Sequence, residues 1–143
     1  MTNLVDFWIW VAVVLIILGI GGGSLVLTTL KPLGQQIPFP IPMTNLSLLI
    51  SEAAQASYQA GIDAYQASRY GAAIDRFNRL IQQEPHCPEG YHNRGLAQAN
   101  LGKTNLAVSD LLKAGELYDQ QGTKEGIDVV KGQLEMLSQR VKG

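Results

Sequence analysis

Residues 91–114, YHNRGLAQANLGKTNLAVSDLLKA, decide the fold. They read as two helices joined by a tight turn. Pro88, just upstream, suits a first helical turn, where its missing N–H forfeits no intrahelical bond. Gly102 supplies the left-handed residue that stops the first helix. Thr104 is the expected N-cap of the second. Small residues fall where two helices must approach closely: Gly95 and Ala99 on the first, Ala107 and Ala114 on the second.

Thirty-four residues upstream the pattern recurs, with Gly61 under Gly95, Ala73 under Ala107 and Phe77 under Leu111. A 34-residue period of helix–turn–helix units is the signature of the tetratricopeptide repeat. On Tyr91, Gly95, Ala107, Leu111 and Ala114 in the later copy, and Gly61, Ala73, Phe77 and Pro85 in the earlier, residues 55–119 resemble two such repeats. Departures are Ser57, Ala64 and Gln98 where the family carries large aromatics, Leu80 where it carries a small residue, and Asp119 in place of a closing proline.

The expected fold is therefore all-α. One N-terminal transmembrane helix is followed by a proline-rich spacer at 31–43 and a tetratricopeptide-like α–α superhelical domain at 44–143. Within that domain the repeats cover about 54–87 and 88–121, and a capping helix covers about 123–141. The first repeat helix is expected to start early, capped by Thr44 or Asn45 and running to about Ser68, with Leu46, Leu49, Ile50 and Ala53 as an apolar stripe. The next is expected from about Tyr70 to Gln83. Gly122 and Thr123 mark the last stop and start. Ile127, Val130, Leu134, Leu137 and Val141 give the final helix one apolar face, as a terminal element of a repeat array requires.

The transmembrane reading rests on residues 7–30, FWIWVAVVLIILGIGGGSLVLTTL, which hold no charge. Twenty-four helical residues reach about 36 Å, enough for a bilayer core with modest tilt. Trp8 and Trp10 suit a membrane–water interface. A cleaved signal peptide is the alternative, and it would make the protein a secreted or periplasmic binding module. The leader MTNLVD has no Lys or Arg, and no clear small-x-small site follows. Gly19 and Gly23 have the spacing that lets two membrane helices pack closely. Lys31 flanks one end and Asp6 the other, so the C-terminal domain is expected on the cytoplasmic side. Residues 31–43, KPLGQQIPFPIPM, carry four of the six prolines and read as a semi-rigid, extended spacer.

Composition excludes several functions. Net charge is −1, and apart from Asp6 and Lys31 the chain holds eleven acids and ten bases with no basic block, which argues against a nucleic-acid surface. Cys87 is the only cysteine, so no internal disulfide forms. His86, Cys87 and His92 match no zinc spacing, and His86 and Cys87 read as turn residues between the repeats. Asp63, Asp75 and Asp110 stand singly and read as solvated. No enzyme, cofactor, metal or small-molecule substrate is expected.

A binding surface remains. The resemblance implies that the first helix of each repeat lines a groove for a peptide or partner helix. By position it would present Gln55, Tyr58, Ile62, Tyr65 and Gln66, then Glu89, His92, Asn93, Leu96 and Asn100. Family members that grip a C-terminal carboxylate need a lysine and an asparagine where Tyr58 and Ile62 stand, and only Asn93 agrees. The groove is thus expected to be apolar and aromatic. One anchor, a spacer and few repeats resemble the small proteins of cyanobacteria and plastids that assist photosystem I assembly. That resemblance implies a scaffold acting on membrane complex subunits at the thylakoid. A constitutive small subunit of a membrane complex, held through Gly19 and Gly23, is the second expectation.

Overall fold

A computed structural model describes residues 37–46 and 49–142 of the chain. They belong to the compact unit Ile37–Gly143. The membrane helix expected over residues 7–30, with Gly19 and Gly23, lies outside the described residues. Among the described residues no helix is long and apolar enough to cross a membrane.

The described residues are all-helical: α1 Glu52–Gln66, α2 Tyr70–Gln83, α3 Pro88–Asn100, α4 Thr104–Gln120 and α5 Lys124–Lys142. Each packs chiefly on its neighbours in sequence. Three of the four connections are one motif. Ser68 (φ 57), Gly102 (φ 75) and Gly122 (φ 70) take the left-handed conformation just after α1, α3 and α4. The next N–H in each case reaches back to the helix: Arg69 to the Ala64 carbonyl at 2.9 Å, Lys103 to Gln98 at 2.9 Å and Thr123 to Tyr118 at 2.9 Å. This double closure uses up orphan carbonyls and turns the chain within three residues, so successive helices run antiparallel. Pro85 ends α2 at Gln83, whereas Asp119 in the matching place lets α4 run on to Gln120.

The 34-residue period is built into the packing. A Cβ on Gly61 would lie 2.5 Å from the Phe77 ring, and one on Gly95 would lie 3.2 Å from the Ala107 carbonyl and 3.3 Å from Leu111 Cγ. In each hairpin a bare backbone on the first helix receives the large side chain of the second. Phe77, Leu80, Leu111 and Ala114 are fully buried there, each large one contributing about 2–3 kcal/mol relative to exposure. α5 closes the stack by laying Val130 and Leu137 on the core, with Ile127 and Leu134 beside them. Its Gly126 sits against the Tyr118 ring, where a Cβ would come within 2.6 Å.

Three expectations are corrected. First, α1 does not start near Thr44 or Asn45: its N-cap is Ser51, whose Oγ accepts from the Ala54 N–H at 3.4 Å. Residues 37–46 hold no helix, Leu46 and Ile50 only half-bury, and Leu49 is exposed. Second, Thr104 is the first residue of α4, and Lys103 holds the cap position without a side-chain bond. Third, Asp110 is not solvated. It is buried and takes a bidentate pair from Arg94, Nε to Oδ2 and Nη2 to Oδ1, both 2.7 Å. Arg94 Nη1 also donates to Asn78 Oδ1 at 2.7 Å, tying α3 to both α2 and α4, and the Asp110 bonds hold the guanidinium above its ordinary pKa against the effect of burial. Gln98, where the resemblance carries a large aromatic, is buried, and its Oε1 has no partner among the described residues.

Two substitutions at the first hairpin should move stability in opposite directions. Gly61→Ala forces the Phe77 ring aside and should cost about 1–3 kcal/mol. Ser68→Gly relieves a left-handed residue with a Cβ and should gain up to about 1 kcal/mol. Urea unfolding followed by helical circular dichroism checks both signs.

Candidate functional site

The face expected to be an open groove is occupied by the chain itself. Residues 37–46, expected as part of a free spacer and the start of a helix, lie across α1 and α3. The contacts form two matching sets. Asn100 Oδ1 accepts from the Phe39 N–H at 3.0 Å while Asn100 Nδ2 donates to the Phe39 carbonyl at 2.7 Å. Tyr65 donates its hydroxyl to that carbonyl at 2.5 Å. Four residues along, Asn93 Oδ1 accepts from the Met43 N–H at 2.7 Å and Asn93 Nδ2 donates to the Met43 carbonyl at 2.8 Å. Tyr58 donates to the same carbonyl at 2.6 Å.

Helical spacing explains the match. Tyr58 and Tyr65 are seven residues apart on α1, as are Asn93 and Asn100 on α3, so each pair sits about 10.5 Å apart along its axis. Four residues of polyproline-like chain advance about 12 Å. Phe39 meets the later member of each pair and Met43 the earlier, so the segment runs antiparallel to both helices. Phe39 and Pro42 are buried, three residues apart, which is one turn of a polyproline helix. Ile37 and Ile41 are exposed.

No charged group takes part in these bonds, and the phenols that donate do not ionise near neutrality. Burial raises the pKa of Tyr58 far above its ordinary value, with the charges of Glu89 and Cys87 adding and the Asn93 bond opposing. Burial does the same for Tyr65, against the Asn100 bond. The Tyr65 ring is further fixed edge-on against Tyr70, centroids 5.1 Å apart.

The ten residues expected to line the groove divide. Tyr58, Tyr65, Asn93 and Asn100 converge on the segment. Ile62 and Leu96 are buried in the core, and Gln55 and Gln66 are exposed on α1. Two expectations are corrected: Glu89 and His92 are not groove surface but buried under it, 1% and 0% exposed. The His92 ring lies between helices, Nε2 2.6 Å from Gln133 Oε1 on α5 and Nδ1 3.2 Å from the Tyr118 hydroxyl on α4. With a carbonyl oxygen facing Nε2, the network assigns the proton to Nε2, and Nδ1 accepts from Tyr118. Burial lowers the His92 pKa to about 4, the Gln133 bond partly opposing. Cys87 is buried at the head of α3, its thiol pushed up to about 12 by burial and then by Glu89, to which it donates at 3.3 Å. A thiol held protonated in this way is no nucleophile near neutral pH. Among the described residues no group of three or more His, Cys, Asp or Glu gathers.

The side of the site that sequence reading missed is Phe39, Pro42 and Met43. Its signal lay in the two seven-residue pairs, tyrosines on one helix and asparagines on the other. Those pairs are what an extended backbone with free N–H and C=O groups at two points requires.

Two outcomes follow. Asn100→Ala leaves the Phe39 N–H without its partner, and a lost buried bond of about 1–3 kcal/mol should speed amide exchange in residues 37–43 by roughly tenfold or more, read by exchange mass spectrometry. For His92 the folded pKa lies below the unfolded one, so the unfolded chain binds more protons between pH 6.5 and 4. Stability from this group is therefore full above about pH 6.5 and is lost as pH falls through 4, by roughly 3 kcal/mol in all. Urea midpoints from pH 7 to 5 should fall, and His92→Gln should flatten that slope.

No family model, curated protein or solved structure matches the chain.

Proposed function

We propose that the chain is a non-catalytic, membrane-anchored scaffold built on tetratricopeptide-like repeats, whose helical unit takes hold of extended protein segments and assists the assembly or stability of a membrane protein complex. One observation carries the reading: two side-chain amides, seven residues apart on α3, each take both the N–H and the C=O of one residue in an extended chain. Such double bonding recognises backbone conformation and asks little of the side chains. It is chemistry for holding a polypeptide, not for changing one. The repetition of Gly61 on Phe77 as Gly95 on Leu111 supports the repeat assignment.

The uncharged run at residues 7–30 would fix the unit to a bilayer, and Lys31 would place it on the cytoplasmic face. Confinement to the membrane raises the effective concentration of the binding face near membrane-embedded partners. The resemblance to assembly factors points to photosystem I as the complex and the thylakoid as the membrane. The Gly19 and Gly23 spacing favours a second reading, a constitutive subunit held by its membrane helix.

A gentle-detergent pull-down of the tagged full-length protein from its native membranes, with each co-purifying chain quantified, tests this. Subunits of one membrane complex at well below one copy of bait per complex are expected. Equal stoichiometry would favour the constitutive subunit. Recovery of the bait in the soluble fraction with only soluble proteins would overturn the anchor and the scaffold together.

A further inference from the structure

Residues 37–43 satisfy the face of α1 and α3 in the way a bound peptide would. Their placement uses the chain's own Phe39 and Met43 backbone together with the buried Phe39 side chain and Pro42. This segment lies at the start of the compact unit, ahead of the five described helices, and Thr44, Asn45, Leu46, Leu49 and Ile50 between it and α1 are only half-buried or exposed. The helices pack on one another in sequence order without it. We propose that it is a built-in occupant, and that the face is a receptor for uncharged, extended, proline-rich segments of a partner that carry an aromatic residue three positions before a proline, binding by displacing residues 37–43. This deepens the scaffold reading and rests on it.

The partner's chemistry follows from the contacts. Two backbone N–H groups four residues apart must be free, so prolines are accepted at 38, 40 and 42 but not at 39 or 43. The residue at 39 enters a buried site and is 6% exposed as phenylalanine, and that at 42 packs as proline. Residues 32–51 of the chain carry no charge, and the Tyr and Asn groups that grip the segment carry none, so binding should change little with salt. Proline fixes φ before binding, which lowers the ordering cost for a partner as it does for the chain itself. A tethered occupant has an effective concentration in the millimolar range. A competing segment at micromolar concentration therefore succeeds only where the occupant is weakened or several contacts act together.

The test uses the full chain in mild detergent and a fluorescein-labelled peptide of residues 37–45, IPFPIPMTN, read by anisotropy. Phe39→Ala in the protein removes the aromatic anchor of the occupant and should raise peptide affinity at least tenfold over the unaltered chain. Adding Asn93→Ala and Asn100→Ala should abolish that binding, and a peptide with alanine in place of phenylalanine should fail to compete. A second protein carries a specific protease site in place of residues 46–50; once cut, its N-terminal fragment should leave on dilution while the helical circular dichroism persists. It decides the matter should Phe39→Ala fail to fold. Absence of peptide binding to both opened proteins, or loss of helix on release, would overturn the proposal by making the segment a fixed part of the core. Dimerisation of the opened protein without peptide binding would overturn it in favour of exchange between two copies. A membrane complex recovered in the pull-down with no peptide binding would remove this inference alone; peptide binding with no such complex would remove the scaffold role alone.

Discussion

An extended segment brings an N–H and a C=O at every non-proline residue, and burying it against helices strands those groups, because helices have already spent their own. Asn93 and Asn100 resolve this by offering one donor and one acceptor each, the same pair a neighbouring strand would offer. Phe39 and Met43 are thereby satisfied on both backbone groups. The two prolines between them, Pro40 and Pro42, carry no backbone donor to satisfy. Without the two amides, burial of Phe39 and Pro42 would leave backbone groups unpaired at about 1–3 kcal/mol each. The position of the whole N-terminal part of the described chain depends on them.

The amides are in place because the hairpins beneath them are rigid. Gly61 and Gly95 admit Phe77 and Leu111 to the backbone of α1 and α3, which sets both helices at a close and similar distance from their partners. Arg94 locks α3 to α2 and α4 at once through Asn78 and Asp110. The geometry is bidentate and largely sheltered, so it contributes more than a surface pair, though part of that gain offsets the desolvation of both groups. On the other side of α3, His92 reaches Tyr118 and Gln133 and so couples the helix to the closing elements. Short side chains seven residues apart on a helix held this way keep a fixed spacing, which is what an extended ligand of fixed rise demands.

Much of the fold was legible. Pro88, Gly102 and Gly122 punctuate the chain for local steric reasons that hold in any context, and the 34-residue recurrence of Gly, Ala and a large apolar residue reflects close helix contact, a constraint that composition must obey. The site was half legible. Tyr58, Tyr65, Asn93 and Asn100 were among the ten residues that the repeat resemblance put on one face, but so were Ile62 and Leu96, which lie in the core. Their occupant did not, because a proline-rich stretch reads the same whether it spans solvent or lies in a groove. Nothing in its own residues specifies what it touches.

The same limit applies to three further assignments. Local sequence made Thr44 or Asn45 as good a helix start as Ser51. In the fold Met43 is instead held by Asn93 on both backbone groups, and Ser51 takes the cap. Asp110 looked like any surface carboxylate until the fold set Arg94 against it, sixteen residues away in sequence but within a bidentate bond. His92 looked like groove lining until α5 covered it. The sequence by itself determined the helices, their stops and their repeat, since these rest on steric and periodic rules among near neighbours. Which polar groups are buried, and what fills the face between α1 and α3, were decided by tertiary structure, because burial and hydrogen-bond partnership belong to residues distant along the chain.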